Sequence, residues 1–275
     1  LLIVEILFFN VKYSTPSIFS FGMNIYAYWN SDKVALRQAR ASAAPIEQYP
    51  ELHRLIENLA ITAGLPKPRV YIIPDSSPNA FATGRNPENS AIAVTEGLLQ
   101  VLDRSELEGV IAHELAHIGN NDMLISTVAV ILVGVVTMVS DLLLRGTLFG
   151  GRGSDNNNGN AIVLVIGVVL MILTPIIATV MRFAISRKRE LLADATGAML
   201  TRYPEGLARA LEKIHGYGSK MKSANHATAH LFIANPFGLK RAKTYINRLF
   251  LTHPPAEVRT KLLREMDSGA ISKKV

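Results

Sequence analysis

Hydrophobic positions along the chain concentrate in two long runs that a globular core does not need. Met123 to Leu144 contains one charged residue, Asp141, and Ala161 to Met181 contains none. Each run reaches the roughly 20 residues that cross about 30 Å of hydrocarbon. The polar, Gly/Asn-rich stretch between them, "RGTLFGGRGSDNNNGN", has no periodicity. The pattern predicts a transmembrane helical hairpin with a polar tip; two buried helices of a soluble core are the alternative.

The N-terminal region is apolar in two shorter pieces. Leu1 to Phe9 and Ser17 to Trp29 are each too short to span a bilayer alone. Because the chain opens on Leu rather than Met, we expect 1–46 to hold an incomplete membrane segment. The aromatic cluster that ends at Trp29 is followed by Lys33 and Arg37, which is typical of an exit into the cytoplasm.

Basic residues predict how the hairpin is oriented. The segment after the second run carries four of them and the tip carries two: Arg182, Arg187, Lys188 and Arg189 against Arg145 and Arg152. Lys and Arg are enriched on the cytoplasmic side of membrane proteins, so the polar bulk of the chain is expected to face the cytoplasm.

The remaining sequence alternates helical and strand-like patterns. "QYPELHRLIENLAITAGL" has apolar residues at helical spacing, "RVYIIP" resembles a strand, "SSPNAFATGRNPENS" is rich in turn residues, and "AIAVTEGLLQVL" enters a helix. After the hairpin, "RELLADATGAMLT", "PEGLARALEKIHG" and "KRAKTYINRLF" predict helices. We therefore expect a mainly α membrane protein with a small β-sheet, divided into an N-terminal membrane segment, a first core block, the hairpin and a second core block at 1–46, 47–122, 123–181 and 182–275.

Composition agrees with a membrane location. Of the 275 residues, 49% are hydrophobic and 19% charged, and the mean hydropathy is +0.22. The net charge of +7 favours an anionic partner, either nucleic acid or the anionic inner leaflet. Since basic residues cluster beside a predicted span, we favour the lipid bilayer and expect no nucleic-acid partner. The chain has no cysteine, so any metal ion must be held by nitrogen and oxygen.

The sequence "HELAH" carries the main candidate chemistry. On a helix, His113 and His117 lie one turn apart on the same face and can bind one zinc ion. Glu114 is placed to accept a proton from a water molecule in the remaining position. Two core histidines on an amphipathic helix are the alternative, but that alternative leaves the glutamate unexplained.

Catalytic zinc usually has a third protein ligand. "RKRELLADA" offers Glu190 as that ligand, and Asp194 lies one helical turn later, where it can accept a hydrogen bond from a ligating imidazole. An ordinary solvated helix face is the alternative. Because the hairpin returns to the side from which it left, Glu190 can lie beside His117.

Another histidine, His253, precedes two prolines in "THPPAEVR". A histidine on a rigid turn could donate a hydrogen bond to the oxyanion of a tetrahedral intermediate, although a simple helix-entry turn is the alternative.

Four motifs together resemble the HtpX protease family, bacterial inner-membrane zinc metalloproteases related to the type I CAAX prenyl proteases. These are "NAFATG", "VIAHELAHIGNNDM", "SRKRELLADA" and "FLTHPPAEVR". The resemblance implies a gluzincin-like HExxH core, with one zinc ion held by His113, His117 and Glu190 and with Glu114 as the catalytic base.

The resemblance also implies roles for residues that the spacing alone does not explain. His253 would hydrogen-bond the transition state. Asn79 would lie on an edge strand that receives the substrate peptide as an added strand, and Arg259 would brace that wall. The implied function is endopeptidase cleavage of misfolded or damaged membrane proteins, as part of the stress response, at the cytoplasmic face of the inner membrane.

Two other functions fit parts of the sequence. In an intramembrane metalloprotease the HExxH motif would lie inside a spanning helix, yet the apolar run begins at Met123, after the motif. A membrane scaffold or holdase would carry a vestigial or structural metal site, but structural zinc sites are usually closed by four protein ligands, and the sequence offers three.

Overall fold

A computed structural model of the chain describes residues 29–122, 187–218, 220–222, 231–236 and 254–268. The helices are Ser31–Gln38 (α1), Pro50–Thr62 (α2), Glu96–Val101 (α3), Arg104–Gly119 (α4), the helical residues 187–201 (α5), Pro204–Tyr217 (α6) and Ala256–Asp267 (α7). The strands are Ser42–Ala43 (β1), Arg69–Ile73 (β2), Ala80–Gly84 (β3) and Ser90–Thr95 (β4). The prediction of a mainly helical chain with a small sheet is confirmed for these residues.

Several predicted segments lie outside the described residues. They are the N-terminal segment as far as residue 28, the two spans at 123–144 and 161–181, the tip between them, and the helix predicted at 240–250. Within the described ranges, every helix is too short or too polar to cross a bilayer.

The sheet has the strand order β1-β2-β4-β3, which leaves β3 at one edge. Strand β2 runs parallel to β4, whereas β3 pairs with β4 in antiparallel register, with Ala82 opposite Ile92. The turn-rich interpretation of 76–90 was wrong for β3. Its Ala, Thr and Gly residues have little strand propensity, but all five are buried, so packing rather than propensity makes this segment a strand. Similarly, the stretch predicted to enter a helix begins as strand β4 and becomes helical at Glu96.

Helix α4 carries the HELAH motif and begins at a complete capping box. The Asp103 side chain accepts a hydrogen bond from the Glu106 backbone N–H, and the Glu106 carboxylate accepts one from the Asp103 N–H. The helix packs against β3, α2 and α6. Because it is covered on several faces, both histidine-bearing and aliphatic positions are buried, and its apolar residues join the main core.

Two glycines let neighbouring helices approach α4 closely. A Cβ atom at Gly197 of α5 would lie 2.9 Å from the backbone nitrogen of His113. A Cβ atom at Gly109 would lie 2.7 Å from the backbone nitrogen of Leu207 in α6. Both distances are shorter than side-chain atoms tolerate, so these contacts fix α5 and α6 directly against the motif helix.

The last described helix, α7, begins directly after Pro254 and Pro255, with Pro255 as its N-cap residue. The prediction of a helix-entry turn at this proline pair is confirmed. Helix α7 packs on α6, and at the surface of this contact Arg264 forms ion pairs with Glu205 and Glu212.

Candidate metal centre

The two histidines of the motif meet on one face of α4. The Nε2 atoms of His113 and His117 lie 3.1 Å apart, and the two rings are nearly perpendicular. His113 is completely buried, whereas His117 is partly exposed. The helical spacing therefore brings two imidazole nitrogens to one point, as the motif predicts.

Glu190 of α5 completes this cluster. Its Oε1 atom lies 3.3 Å from His117 Nε2, and its Oε2 atom lies 3.7 Å from His113 Nε2. One donor atom from each of the three residues lies within 4.8 Å of the other two. Two imidazoles and one carboxylate form the donor set that open zinc sites use, so the side chains fit a divalent metal ion.

The protonation states of the two imidazoles differ. Burial lowers the pKa of His113 to about 4, despite the opposing effect of Asp194, so at neutral pH this ring is uncharged and can act as a ligand. Burial would also lower the pKa of His117, but the charge of Glu190 and its hydrogen bond outweigh burial and raise it. A metal ion would therefore compete with a proton mainly at His117.

Glu114 lies between the metal ligands and the sheet. Its carboxylate is almost completely buried and accepts a hydrogen bond from the backbone N–H of Ala82 on edge strand β3. Burial, reinforced by the negative charge of Glu190, raises the pKa of Glu114 to about 7. A carboxyl group with this pKa can both accept and release a proton near neutral pH.

Asp194 lies behind His113, as the sequence predicts. Its Oδ1 atom is 3.0 Å from His113 Nδ1, which directs the Nε2 atom of this ring towards His117 and Glu190. Burial would raise the pKa of Asp194, but Arg259 outweighs it through charge and hydrogen bonding, and the pKa falls to about 2.

Arg259 is completely buried beneath the centre. It donates two hydrogen bonds to Asp194, from Nε at 2.8 Å and from Nη2 at 2.6 Å. Its Nη1 atom lies 3.5 Å from Glu190 Oε2 and 3.4 Å from the carbonyl oxygen of Ile233. The guanidinium group thus connects the metal ligands to the segment 231–236.

Asn79 immediately precedes the edge strand and is also buried. Its Nδ2 atom donates to the carbonyl of Ala234 at 3.0 Å, and its Oδ1 atom accepts from the Ala234 N–H at 3.3 Å. The N–H of Ile233 donates to the carbonyl of Ala80 at 3.0 Å. Segment 231–236 therefore lies along the first part of the outer edge of β3, and Asn79 fixes it there.

His253 lies outside the described residues. The structure consequently brings together His113, Glu114, His117, Glu190, Asp194 and Arg259, and places Asn79 at the start of the adjoining strand.

The sequence did not point to two residues beside His117. The Oδ2 atom of Asp122 lies 2.6 Å from His117 Nδ1, and Arg189 forms an ion pair with Asp122 and donates to the carbonyl of Asn120. A carboxylate five positions beyond the second histidine is a usable signal, because the helix ends between them. Arg189 offers no such signal, because in the sequence it belongs to the basic cluster that orients the hairpin.

Comparisons with known proteins agree with this geometry. The family described as Peptidase family M48 matches residues 47–267. A protease HtpX homolog of Thermoanaerobacter pseudethanolicus is 48% identical over 91% of this chain and 83% of its own length. Another, from Pyrococcus furiosus, is 47% identical over 90% and 85%, and one from Dictyoglomus thermophilum is 44% identical over 96% and 89%.

A solved structure shares the fold. The crystal structure of S. mikatae Ste24p matches with a TM-score of 0.57 at 21% sequence identity, covering 90% of this chain. The present chain spans 57% of the length of Ste24p. At this identity the likeness concerns the arrangement of helices and sheet.

Proposed function

Because the chain belongs to peptidase family M48, among its HtpX protease homologues, we propose that it is a zinc-dependent endopeptidase anchored in the membrane. The peptidase assignment follows from the family, and the donor set of the centre is suited to a metal ion. Zinc as that ion, cleavage within the polypeptide, and the membrane anchor are the parts that we propose.

One observation carries the proposal: three donor side chains from two helices converge, and a fourth side chain with a pKa near neutrality lies beside them. His113 and His117 come from α4 and Glu190 from α5. Glu114 is held against the edge strand by Ala82. A zinc ion at the three donors would polarise the scissile carbonyl and make water acidic enough to be deprotonated near pH 7.

The protein groups around the centre divide the remaining work. Glu114 accepts the proton of the attacking water and delivers it to the amine that leaves. Asp194 keeps His113 in the orientation and tautomer that bind the metal, and Arg259 holds Asp194. His253 is the proposed hydrogen-bond donor to the oxyanion.

We propose that the substrate adds to the sheet as an extended strand. The outer edge of β3 faces the centre at Ala82, whose N–H reaches Glu114. Segment 231–236 takes the part of that edge at Ala80, so the substrate strand would pair with Ala82 and the residues after it. Asn79 and Arg259 would then shape the groove by holding the segment in place. Unfolded stretches of misfolded or damaged membrane proteins have the extended backbone that this mode requires.

The proposed anchor is the hairpin at 123–181 together with the N-terminal segment. The metal ligands lie before residue 123 and after residue 186, which favours a centre at the membrane surface over one at the middle of the bilayer. The proposed location is the inner membrane, with the catalytic blocks in the cytoplasm.

The test is a comparison of wild type with Glu114→Gln. The amide cannot accept the proton, so the variant should bind zinc as wild type does but cleave an unfolded substrate such as casein at least about 100-fold more slowly. Glu108→Gln, on the same helix and partly exposed, is the matched control and should retain full activity.

The outcomes separate the alternatives. Cleavage by Glu114→Gln at the wild-type rate would exclude the proposed mechanism. Zinc binding by a wild-type protein that cleaves nothing would favour the scaffold function instead. Cleavage by wild type that is insensitive to chelators would exclude zinc.

A further inference from the structure

We propose that Asp122 and Arg189 are positioning residues for His117, with Arg189 acting through Asp122, and that together they set how tightly the centre retains its metal ion. The inference rests on the proposed function because it takes His117 to be a zinc ligand. It adds two residues that the HExxH motif and the third ligand do not include.

The contact between Asp122 and His117 determines which ring nitrogen is free. A carboxylate oxygen 2.6 Å from Nδ1 favours the tautomer with the proton on Nδ1. The lone pair then remains on Nε2, the atom that lies 3.1 Å from His113 Nε2 and 3.3 Å from Glu190. Removing the carboxylate would release both the tautomer and the ring orientation.

Arg189 determines where that carboxylate lies. It forms an ion pair with Asp122 and donates to the carbonyl of Asn120, so it grips the chain on both sides of Asn121. The two partners are mostly buried, with 22% of the Arg189 side chain and 12% of the Asp122 side chain exposed. At this burial an ion pair is better shielded from solvent than a surface pair, and it can restrain a side chain.

The arrangement repeats the one behind the other imidazole. His113 is backed by Asp194, which is held by Arg259; His117 is backed by Asp122, which is held by Arg189. The two chains of contacts differ in their surroundings, because Arg259 is completely buried in the core whereas the Asp122–Arg189 pair is partly exposed.

The position of the second chain of contacts along the sequence gives it a further meaning. Asp122 is the last described residue before 123–186, and Arg189 follows that stretch by three positions. Their contact therefore closes the base of the segment in which the hairpin is predicted. The ligand His117 from one arm and the ligand Glu190 from the other are aligned by a contact between the same two arms.

The experiment measures zinc affinity of the full chain in detergent by competition with a chromophoric chelator. We expect Asp122→Asn and Arg189→Met each to weaken zinc binding by about 10- to 100-fold, the range found for outer ligand-orienting partners. Because Arg189 acts through Asp122, the double variant should bind zinc about as weakly as Asp122→Asn alone. Lys188→Ala, an exposed cation one position away, should bind as wild type does.

Several results would overturn the inference. Wild-type affinity in Asp122→Asn would show that the carboxylate does not position His117. Multiplying losses in the double variant would show that the two residues act separately. General unfolding is recognised by the melting temperature of the metal-free variants, and in that case Arg189→Lys, which keeps the charge, replaces Arg189→Met in the cycle.

The test also distinguishes this inference from the proposed function. If wild type does not bind zinc, the proposed function fails. If wild type binds zinc and only the variants behave as wild type does, the metal centre stands and the role of Asp122 and Arg189 fails.

Discussion

Chemically identical side chains have opposite properties in this centre because their neighbours differ. Glu114 and Asp194 are both buried carboxylates. Glu114 lies near the negative charge of Glu190, and its pKa rises to about 7. Asp194 is gripped by Arg259, and its pKa falls to about 2. One carboxylate is thereby suited to exchange a proton and the other to remain charged and orient an imidazole.

Arg259 is the residue whose loss should be most damaging to the fold. Arg259→Met would leave Asp194 and Glu190 as buried carboxylates without their cation, which we expect to cost about 3–5 kcal/mol in the free energy of unfolding. Arg259→Lys should be damaging too, since one ammonium group cannot reproduce the two hydrogen bonds from Nε and Nη2. Chemical denaturation of the metal-free proteins measures both effects.

Arg264 provides the control for this prediction. It also pairs with two carboxylates, Glu205 and Glu212, but its side chain is 46% exposed. Solvent screens surface ion pairs, so Arg264→Met should change stability little. Equal losses for Arg259→Met and Arg264→Met would show that burial does not decide how much each arginine stabilises the fold.

The raised pKa of Glu114 predicts a pH dependence of stability in the metal-free protein. The folded protein keeps this proton up to about pH 7, whereas the unfolded chain, with the ordinary pKa of 4.5, has already released it. The free energy of unfolding should therefore decrease from pH 4.5 to pH 7, by up to about 3 kcal/mol from this group. Glu114→Gln removes the titration, so the variant should become more stable relative to wild type as pH rises. Parallel melting temperatures between pH 5 and 7.5 would contradict this.

At the scale of elements, the centre depends on how closely α5 can approach α4. Glu190 reaches the histidines only because Gly197, two turns further along α5, lies directly on the backbone of His113. The spacing between Glu190 and Gly197 places both on the face of α5 that meets the motif helix. A small residue at this contact is as much a condition for the metal site as the ligands are.

Gly197→Ala should therefore impair the site without touching a ligand. The added Cβ would lie 2.9 Å from the His113 nitrogen and 3.1 Å from the Ala112 carbonyl carbon. These are backbone atoms that cannot rotate away, so the helices must separate, at a cost of about 1–3 kcal/mol. We expect weaker zinc binding together with lower stability, measured by chelator competition and thermal melting.

Gly216→Ala is the matched control in α6. A Cβ at this position meets no atom within 4 Å, and alanine favours helix by up to about 1 kcal/mol over glycine. This variant should be as stable as wild type or more so, with unchanged zinc affinity. Loss of zinc binding in both glycine variants would show that the effect is not specific to the α4–α5 contact.

Elements with a clear apolar period could be predicted from the sequence. Helix α2 follows its three- and four-residue spacing, and Pro50 opens it. Strand β3 could not be predicted in this way, because alanine, threonine and glycine in "AFATG" report neither a period nor a strand propensity. Its conformation comes from pairing with β4 and from burial on both faces, which are properties of the assembled fold.

At the scale of the whole molecule, the ligands could be predicted but their support could not. Motif spacing identified His113, Glu114 and His117, and the return of the hairpin identified Glu190. The ion pair between Asp122 and Arg189 joins residues on either side of a long stretch, and no local pattern reports such a contact. For the same reason the tie between Asn79 and Ala234, 155 positions apart, became visible only in three dimensions.

The proposed membrane topology makes a prediction for the whole chain. Because the sequence has no cysteine, single introduced cysteines can be labelled without background. In cells with an opened outer membrane, a membrane-impermeant maleimide should react with Asn156→Cys in the predicted tip. It should reach Glu96→Cys, on the exposed surface of α3, only after the inner membrane is permeabilised. Labelling of both positions from the same side would contradict the hairpin or its orientation.

The centre draws on residues from His113 to Arg259, and this span has a consequence during biosynthesis. A ribosome that has produced the first 122 residues has released both imidazoles, but the ligating carboxylate and the arginine that secures Asp194 are still to be translated. Hydrolytic competence therefore arrives only with the final helix. The unfinished chain passes through translation and membrane insertion harmless to itself and to the nascent proteins around it.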